Sequence, residues 1–225
     1  MDFISQNVAA VRSSVAAAAR AAGRDPNEVC VIAVSKRKPT RAIEDAHRAG
    51  LSDFGENYLQ EALPKIAALE HLPLRWHFIG ALQSNKTRQV ARHFDWVHTV
   101  DRPKIARRLN QQCPEGKRLQ VCLQVNVDAD PGKSGVEPAA AADLLREVSG
   151  LDRLAIRGLM TIVDPNADTR ESFARMAGLF SRLAPLAADP WDTLSMGMSN
   201  DYEQAIMAGA THVRIGTAIF GAREG

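Results

Sequence analysis

The sequence lacks the features that mark secreted, membrane-spanning and metal-binding proteins. Its 225 residues include three cysteines, an odd number without C-x-x-C spacing, which argues against a disulfide framework and favours a reducing cytoplasm. No apolar run approaches the roughly 20 residues that span a bilayer. An early Asp2 and the lack of a continuous apolar stretch argue against a signal peptide. The six histidines show neither H-x-H nor H-x-x-x-H spacing, so we expect no metal site.

Strong charge of either sign is also missing. The chain has 28 Lys and Arg against 26 Asp and Glu, a net charge of +2, which does not indicate a nucleic-acid or membrane partner. The one dense basic run is Lys36-Arg37-Lys38. Neither G-x-G-x-x-G nor G-x-S-x-G occurs, which disfavours dinucleotide-binding proteins and α/β-hydrolases.

The pattern that is present alternates short apolar strands with helices. Such alternation predicts a parallel sheet, and eight repeats of it predict a single (β/α)8 barrel domain over residues 1–225. A doubly wound open sheet is the alternative. Because only nine residues follow Gly216, we expect the first helix, about Phe3 to Ala22, to cover the wall where a full eighth helix is missing. The predicted strands are 29–35, 53–57, 75–80, 96–100, 119–127, 154–162, 192–195 and 212–215.

Residues at the carboxyl ends of the strands are the candidates for chemistry, because active sites of such barrels lie at that face. This rule selects seven residues: Lys36, Asn57, His77, Asn126, Met160, Ser195 and Arg214. Lys36 ends an apolar strand and has the amine that forms a Schiff base with a carbonyl compound. The alternative is an exposed lysine in a basic turn. His77 also fits a polar residue of the barrel wall.

The last two strand ends form a predicted phosphate cup. Ser199 precedes a predicted helix, Asn200 to Ala208, and is placed to cap it, where backbone N–H groups favour an anion. Gly216 and Thr217 supply further donors after the eighth strand. The alternatives are a plain helix cap and a plain turn. Arg214 is expected to face the same mouth, unless it pairs with a carboxylate such as Glu56.

Several motifs together carry a family resemblance that extends over about residues 3 to 223. The sequence resembles the pyridoxal phosphate homeostasis protein family, which is similar in fold to the barrel domain of alanine racemase. The motifs are Ala33-Val34-Ser35-Lys36, Phe54-Gly55-Glu56-Asn57-Tyr58, His77-Phe78-Ile79-Gly80, Leu82-Gln83-Ser84-Asn85-Lys86, Gly158-Leu159-Met160, Ser195-Met196-Gly197-Met198-Ser199 and Val213-Arg214-Ile215-Gly216-Thr217.

The resemblance implies a barrel of PLP fold type III that binds pyridoxal 5′-phosphate (PLP) as a Schiff base on Lys36. It implies that Arg214 faces the pyridine nitrogen and that Lys133 is a second lysine near the site. The phosphate would be bound by Ser199, Gly216 and Thr217, and the ring pocket would be lined by Asn57, His77 and Met198.

The resemblance further implies a cytoplasmic PLP carrier that sequesters the cofactor and passes it to apo-enzymes, and no catalytic residues are assigned. An arginine beside the pyridine nitrogen disfavours its protonation, so the ring would support carbanion chemistry poorly. Racemases also use a residue from a further carboxyl-terminal domain, which we do not expect here. We expect a monomer. The alternatives are a single-domain amino-acid racemase and a Schiff-base aldolase.

Overall fold

Eight parallel strands close into a barrel in chain order in a computed structural model of the protein, which describes residues 2–164 and 166–221. The first and eighth strands pair, with Ile32 opposite Arg214, so the open-sheet alternative is wrong and the predicted barrel is confirmed. The strands are β1 (Cys30–Val34), β2 (Asp53–Glu56), β3 (Arg75–Phe78), β4 (Trp96–Val100), β5 (Leu119–Gln124), β6 (Leu154–Met160), β7 (Thr193–Met198) and β8 (His212–Ile215).

Helices follow the strands and form the outer layer. They are α1 (Phe3–Ala21), α2 (Thr40–Arg48), α3 (Leu59–Ala68), α4 (Thr87–His93), α5 (Pro103–Gln112), α6 (Ala141–Val148), α7 (Thr169–Leu183), α8 (Tyr202–Met207) and α9 (Thr217–Phe220), with short 3₁₀ turns at Pro26–Glu28, Pro138–Ala140 and Ala184–Leu186. Within the part of the chain that the structure describes, no helix is long and apolar enough to cross a membrane.

The first helix fills the wall between the helices that flank β8. It starts at the Asp2 cap, whose carboxylate accepts the Ser5 N–H at 2.7 Å. A stripe of buried residues with helical spacing then faces inward. The Asn7 side chain donates to the Ile219 carbonyl of α9 at 2.9 Å, and α1 also packs on α2 and α8. The expected covering of the wall is confirmed, and among the residues described up to 221 the one-turn α9 is the helix that follows β8. The stripe consists of Val8, Val11, Val15 and Ala19.

Two strands end at other residues than predicted, because the backbone hydrogen bonds or the backbone conformation change there. The predicted fifth strand, 119–127, stops at Gln124 because the Asn126 N–H turns to the Val136 carbonyl of the following loop. The predicted seventh strand, 192–195, continues to Met198 through Gly197, whose φ of +92° is one that glycine adopts without strain. A Cβ at Gly197 would lie 2.6 Å from the Ala205 Cβ, so glycine lets α8 pack tightly on the end of β7.

The interior of the barrel is unusually polar. Barrel interiors are mainly filled with branched aliphatic side chains, and the helix-facing layer of this protein follows the usual apolar composition. Inside, by contrast, a small apolar cluster of Trp96, Cys122 and Met160 is packed beside buried polar side chains. These polar side chains are Asp53, His77, His98, Ser195 and Arg214.

Candidate functional site

Lys36 lies in a tight turn directly after β1 and is half-buried. The Lys38 N–H donates to the Ser35 carbonyl at 3.0 Å, which closes the turn around Lys36. Arg37 has a φ of +60°, a left-handed conformation that non-glycine residues rarely adopt. The chain therefore reverses sharply after Lys36 at the carboxyl end of the strand.

A buried ionic network supports this turn from the α3 side. The Lys65 ammonium donates to the Ser35 carbonyl at 2.8 Å, to Glu56 Oε1 at 2.8 Å and to Glu61 Oε1 at 2.5 Å. Glu61 also accepts the Arg37 N–H, and so holds the left-handed residue. Burial raises the pKa of Glu56, which the hydrogen bond from Lys65 opposes. Because Lys65, Glu56 and Ser35 are buried, the network fixes the backbone on which Lys36 sits.

The end of β2 leaves an acceptor without a partner. Asn57 Oδ1 is buried and has no hydrogen-bond partner, which is costly for a native polar atom. The backbone around it is closely packed, because a Cβ on Gly80 would lie 2.1 Å from the Asn57 carbonyl oxygen. An orphaned acceptor in a rigid turn is well suited to receive a donor from a ligand.

Arg214 is a buried cation with no carboxylate in ion-pair contact within residues 2–164 and 166–221. Its Nη1 donates to Ser195 Oγ and its Nη2 to the Thr161 carbonyl, both at 2.8 Å. Burial lowers the pKa of the guanidinium to about 10, although the Asp201 carboxylate acts in the opposite direction. The expected alternative of a pair with Glu56 is wrong, because Glu56 faces outward and binds Lys65.

The turns after β7 and β8 meet through a serine hydroxyl. Ser199 Oγ accepts the Gly216 N–H at 3.3 Å. The expected cap of the following helix is wrong, because α8 begins only at Tyr202 with Asp201 in the cap position. The Asp201 carboxylate accepts the Met198 N–H at 2.5 Å, which pulls the chain away from helical geometry before that point. Ser199 therefore joins two loops rather than capping a helix.

Gly216 and Thr217 complete the predicted cup next to β1. The nearest atom to a Cβ built on Gly216 is the Val34 carbonyl oxygen at 3.4 Å, which places the cup two residues from Lys36. Thr217 is exposed at the start of α9, where the first backbone N–H groups lack intrahelical acceptors. Met198 is beside the cup, with 38% of its surface exposed. The structure thus brings together the ends of β1, β7 and β8.

Two predicted residues are engaged by protein groups. His77 is fully buried in the barrel interior, and its ring nitrogens contact Asp53 and His98. Its place in a ring pocket stays a prediction. Lys133 donates to the Val163 carbonyl at 2.8 Å and pairs with Asp130 at 3.2 Å, so it joins the loops after β5 and β6.

Sequence reasoning missed the opposite end of the barrel. A cavity of about 1020 Å³ opens there, at the amino-terminal ends of the strands. Four of its charged groups form ion pairs, Arg75 with Asp53 and Arg157 with Asp192, and Arg12 donates to the Gly50 carbonyl. His98 was also missed, although it lies two residues after the inward-facing Trp96 on β4 and strand alternation would have placed it inside. In the described part of the chain, no cluster of three or more His, Cys, Asp or Glu side chains is arranged to hold a metal ion.

Comparison with known proteins identifies the family. The alanine racemase N-terminal domain family model matches residues 6–224. The pyridoxal phosphate homeostasis protein of Pseudomonas aeruginosa is 55% identical over 225 residues, a match that covers 100% of this chain and 97% of the relative. This chain belongs to the pyridoxal phosphate homeostasis protein family.

Solved structures agree with this family assignment. PipY of Synechococcus elongatus, solved without PLP, has a TM-score of 0.87 and 41% identity, and the match covers 97% of this chain and 100% of PipY. PipY with PLP bound has a TM-score of 0.85 and 40% identity with the same coverage. Alanine racemase from Corynebacterium glutamicum is 15% identical, with a TM-score of 0.68, over 96% of this chain and 62% of the racemase. That likeness shows the shared barrel fold alone.

Proposed function

We propose that this chain binds PLP at the carboxyl end of its barrel, sequesters the reactive aldehyde and supplies the cofactor to apo-enzymes. Two observations at the barrel end that carries Lys36 and the cup support this proposal. The Asn57 Oδ1 atom has no hydrogen-bond partner, and the buried Arg214 has no carboxylate in ion-pair contact among the described residues. The PLP-bound structure of the 40% identical PipY supports it.

The residues present fit the group that the family implies. Bound PLP supplies an aldehyde that condenses with a primary amine, and Lys36 is the amine held in the rigid turn after β1. Ser199 Oγ and the Thr217 N–H are donors for a phosphate, and the Gly216 N–H joins them when its 3.3 Å hydrogen bond to Ser199 Oγ opens. Met198, Asn57 and His77 are proposed around the ring. Lys133 is proposed as a second lysine near the site.

Arg214 sets what the site is able to do. A guanidinium is a donor that does not give up its proton under ordinary conditions, so beside the pyridine nitrogen it offers a hydrogen bond and keeps the ring neutral. A second cation on that nitrogen would be repelled. A neutral ring withdraws electrons poorly, so Arg214 favours retention of the cofactor over carbanion chemistry. We therefore assign no catalytic residue.

The wider setting is proposed on the same basis. The protein acts as a monomer in the cytoplasm, with one barrel domain over residues 1–225. The three cysteines are thiols in the structure, which suits a reducing compartment.

The deciding experiment is borohydride reduction of the PLP-treated protein followed by absorbance and peptide mass mapping. We expect a yellow protein and a pyridoxyl adduct on Lys36 that the Lys36→Ala variant lacks. Lys38→Ala is the matched control in the same turn, because the Lys38 ammonium binds the Phe220 carbonyl at 3.1 Å. That variant should retain the adduct.

Two results would contradict the proposal. A protein that stays colourless with excess PLP would mean that the cup holds another phosphate compound, as in an aldolase. Solvent deuterium appearing at Cα of an added amino acid would make the protein an enzyme of the racemase type.

A further inference from the structure

An unbroken hydrogen-bonded chain crosses the barrel interior from Arg214 to Asp53. Arg214 Nη1 is 2.8 Å from Ser195 Oγ, and that oxygen is 2.9 Å from His98 Nδ1. His98 Nε2 is 2.9 Å from His77 Nδ1, and His77 Nε2 is 3.0 Å from Asp53 Oδ1. All five side chains are buried, with exposures of 0 to 7%. The mouth of the barrel is thus connected to a carboxylate at the opposite end.

The protonation states at the Asp53 end are set by its neighbours. Burial alone would raise the pKa of Asp53, but hydrogen bonds from His77 and Arg75 outweigh it and hold that pKa below its usual range. Burial lowers the pKa of His77, and burial together with the neighbouring His77, His212 and Arg214 lowers the pKa of His98 far more. Near neutral pH the hydrogen-bonded series of side chains therefore ends in a carboxylate and contains two neutral imidazoles.

These states allow only one direction for the chain. An ionised Asp53 accepts, so His77 carries its proton on Nε2 and accepts at Nδ1. His98 must then donate from Nε2, which leaves its Nδ1 as an acceptor. Ser195 therefore turns its hydroxyl proton toward His98, and its lone pairs receive the Arg214 N–H. Each bond points from the mouth toward Asp53.

The surroundings do not offer His98 or Ser195 another arrangement. The charged and titratable groups that act on the two histidines are Asp53, Arg75, Asp95, His212 and Arg214. Arg75 donates to Asp53. Asp95 accepts the Trp76 N–H at 2.8 Å. His212 contacts Thr211 Oγ1 at 3.0 Å and lies outside the chain. Arg214 can only donate.

We propose that His98 and Ser195 are positioning residues, which hold the Arg214 guanidinium in one orientation toward the ring nitrogen of the bound cofactor. This inference rests on the proposed function for the identity of the ligand. The fixed direction means that Ser195 cannot offer its proton to Arg214, so the guanidinium stays bound at Nη1 by an acceptor. The Thr161 carbonyl fixes Nη2 in the same way.

The first test uses the apo-protein and does not depend on PLP. Nitrogen-15 NMR reports which ring nitrogen of each histidine carries the proton, and we expect Nε2–H for both His77 and His98. The Arg214 guanidinium hydrogens should give separate signals because rotation is blocked. Nδ1–H tautomers, or averaged guanidinium signals, would overturn the proposal.

The second test compares Ser195→Ala and His98→Phe with matched variants in the same interior. Thr193→Val removes a buried hydroxyl two residues earlier on β7, and His212→Phe removes a neighbouring ring outside the chain. We expect averaged Arg214 signals and PLP binding about tenfold weaker in the first pair. The pH midpoint of the bound cofactor's visible absorption should also move by about one unit in that pair.

The outcomes separate this inference from the proposed function. Equal losses in both pairs would mean a general packing effect, and would refute positioning by the chain. Unchanged PLP binding with averaged Arg214 signals would refute it as well. If the wild-type protein fails to bind PLP but shows the predicted tautomers and separate Arg214 signals, the proposed ligand is wrong while the chain's hold on Arg214 stands.

Discussion

The two ends of the barrel differ in how their charged groups are satisfied. At the amino-terminal end, arginines and carboxylates meet in two-pronged pairs, such as Arg75 with Asp53 and Arg157 with Asp192. At the carboxyl end, Arg214 has no carboxylate in ion-pair contact among the described residues, and Asn57 Oδ1 has no partner. The amino-terminal end nevertheless holds a cavity of about 1020 Å³.

This comparison favours the carboxyl end as the proposed binding site, because unsatisfied groups there, rather than empty volume, are what a ligand can bind. Charges that already bind each other offer a ligand little, because the ligand would have to replace existing bonds. A buried guanidinium or an orphaned carbonyl gains a full hydrogen bond when a ligand arrives. The cavity is large, yet its ion pairs leave few groups for a ligand to satisfy.

The largest expected effect concerns pH and three histidines, the fully buried His77 and His98 and the partly buried His212. Burial lowers the pKa of each, to about 3 for His212, while the unfolded value is about 6.5. A base whose pKa is lower in the folded state takes up a proton on unfolding. Its contribution to the unfolding free energy is therefore fully present above about pH 6.5 and is lost as pH falls below that value. We expect urea unfolding to show a loss of about 2 kcal/mol from His212 between pH 7 and 5, and further losses of the same sign from His77 and His98.

A matched variant sharpens that measurement. His212→Gln removes one of the three groups, so its stability should fall less steeply with pH than that of the wild-type protein. A wild-type protein equally stable at pH 7 and 5 would show that the histidines are protonated in the folded state, contrary to the expectation.

The next effect compares the two arginines of the opposite ends. Arg214→Leu should weaken PLP binding about 100-fold, equivalent to about 3 kcal/mol, while changing the unfolding free energy by about 1 kcal/mol or less. Arg157→Leu should leave PLP binding unchanged and cost about 1 kcal/mol of stability, because its partner Asp192 is half-exposed. PLP titration gives the affinity of both variants, and urea unfolding gives their stability. Equal losses of PLP affinity in the two variants would contradict the expected difference between the two ends.

A smaller effect is expected for two asparagines at strand ends. Asn57→Ala removes an orphaned acceptor, so PLP binding should fall about fivefold with little loss of stability. Asn126→Ala removes a side chain that bonds the Asp130 carbonyl at 2.8 Å and the Asp130 N–H at 3.1 Å. It should cost about 1 to 2 kcal/mol and leave affinity unchanged. The reverse pattern would show that the orphaned oxygen does not mark the site.

The smallest effect is expected for the second lysine. Lys133 pairs with the partly exposed Asp130, so Lys133→Met should cost about 0.5 kcal/mol or less of stability. The pyridoxyl adduct on Lys36 should form to the same extent after borohydride reduction. Loss of that adduct in mass mapping would mean that Lys133 takes part in loading the site.

The sequence predicted the barrel and its mouth because both follow from local periodicity. Strand and helix alternation is visible within windows of about ten residues, and strand ends follow from it. The same alternation shows why the pairing of Arg214 with Glu56 was wrong. Neighbours in a strand face opposite sides, and Glu56 lies on the helix side of β2 with Lys65. Ser199 failed as a cap because one side-chain bond, from Met198 to Asp201, delays α8.

The interior chain was out of reach for a different reason. Its members come from β2, β3, β4, β7 and β8, and His98 and Ser195 are 97 residues apart. Whether His77 meets His98 depends on the stagger between neighbouring strands, since His77 is level with Trp96 rather than with His98. Register between parallel strands is set by the closed barrel as a whole, and no local pattern encodes it.

The position of α1 also has a consequence for the order of folding. Asn7 binds the carbonyl of a residue 212 positions later, and Arg24 binds carbonyls 182 and 186 positions later. At about 5 to 20 residues per second, α1 waits roughly ten to forty seconds on the ribosome before its partners are synthesised. During that time its stripe of valines is uncovered, so the nascent barrel stays open until its last strand has emerged.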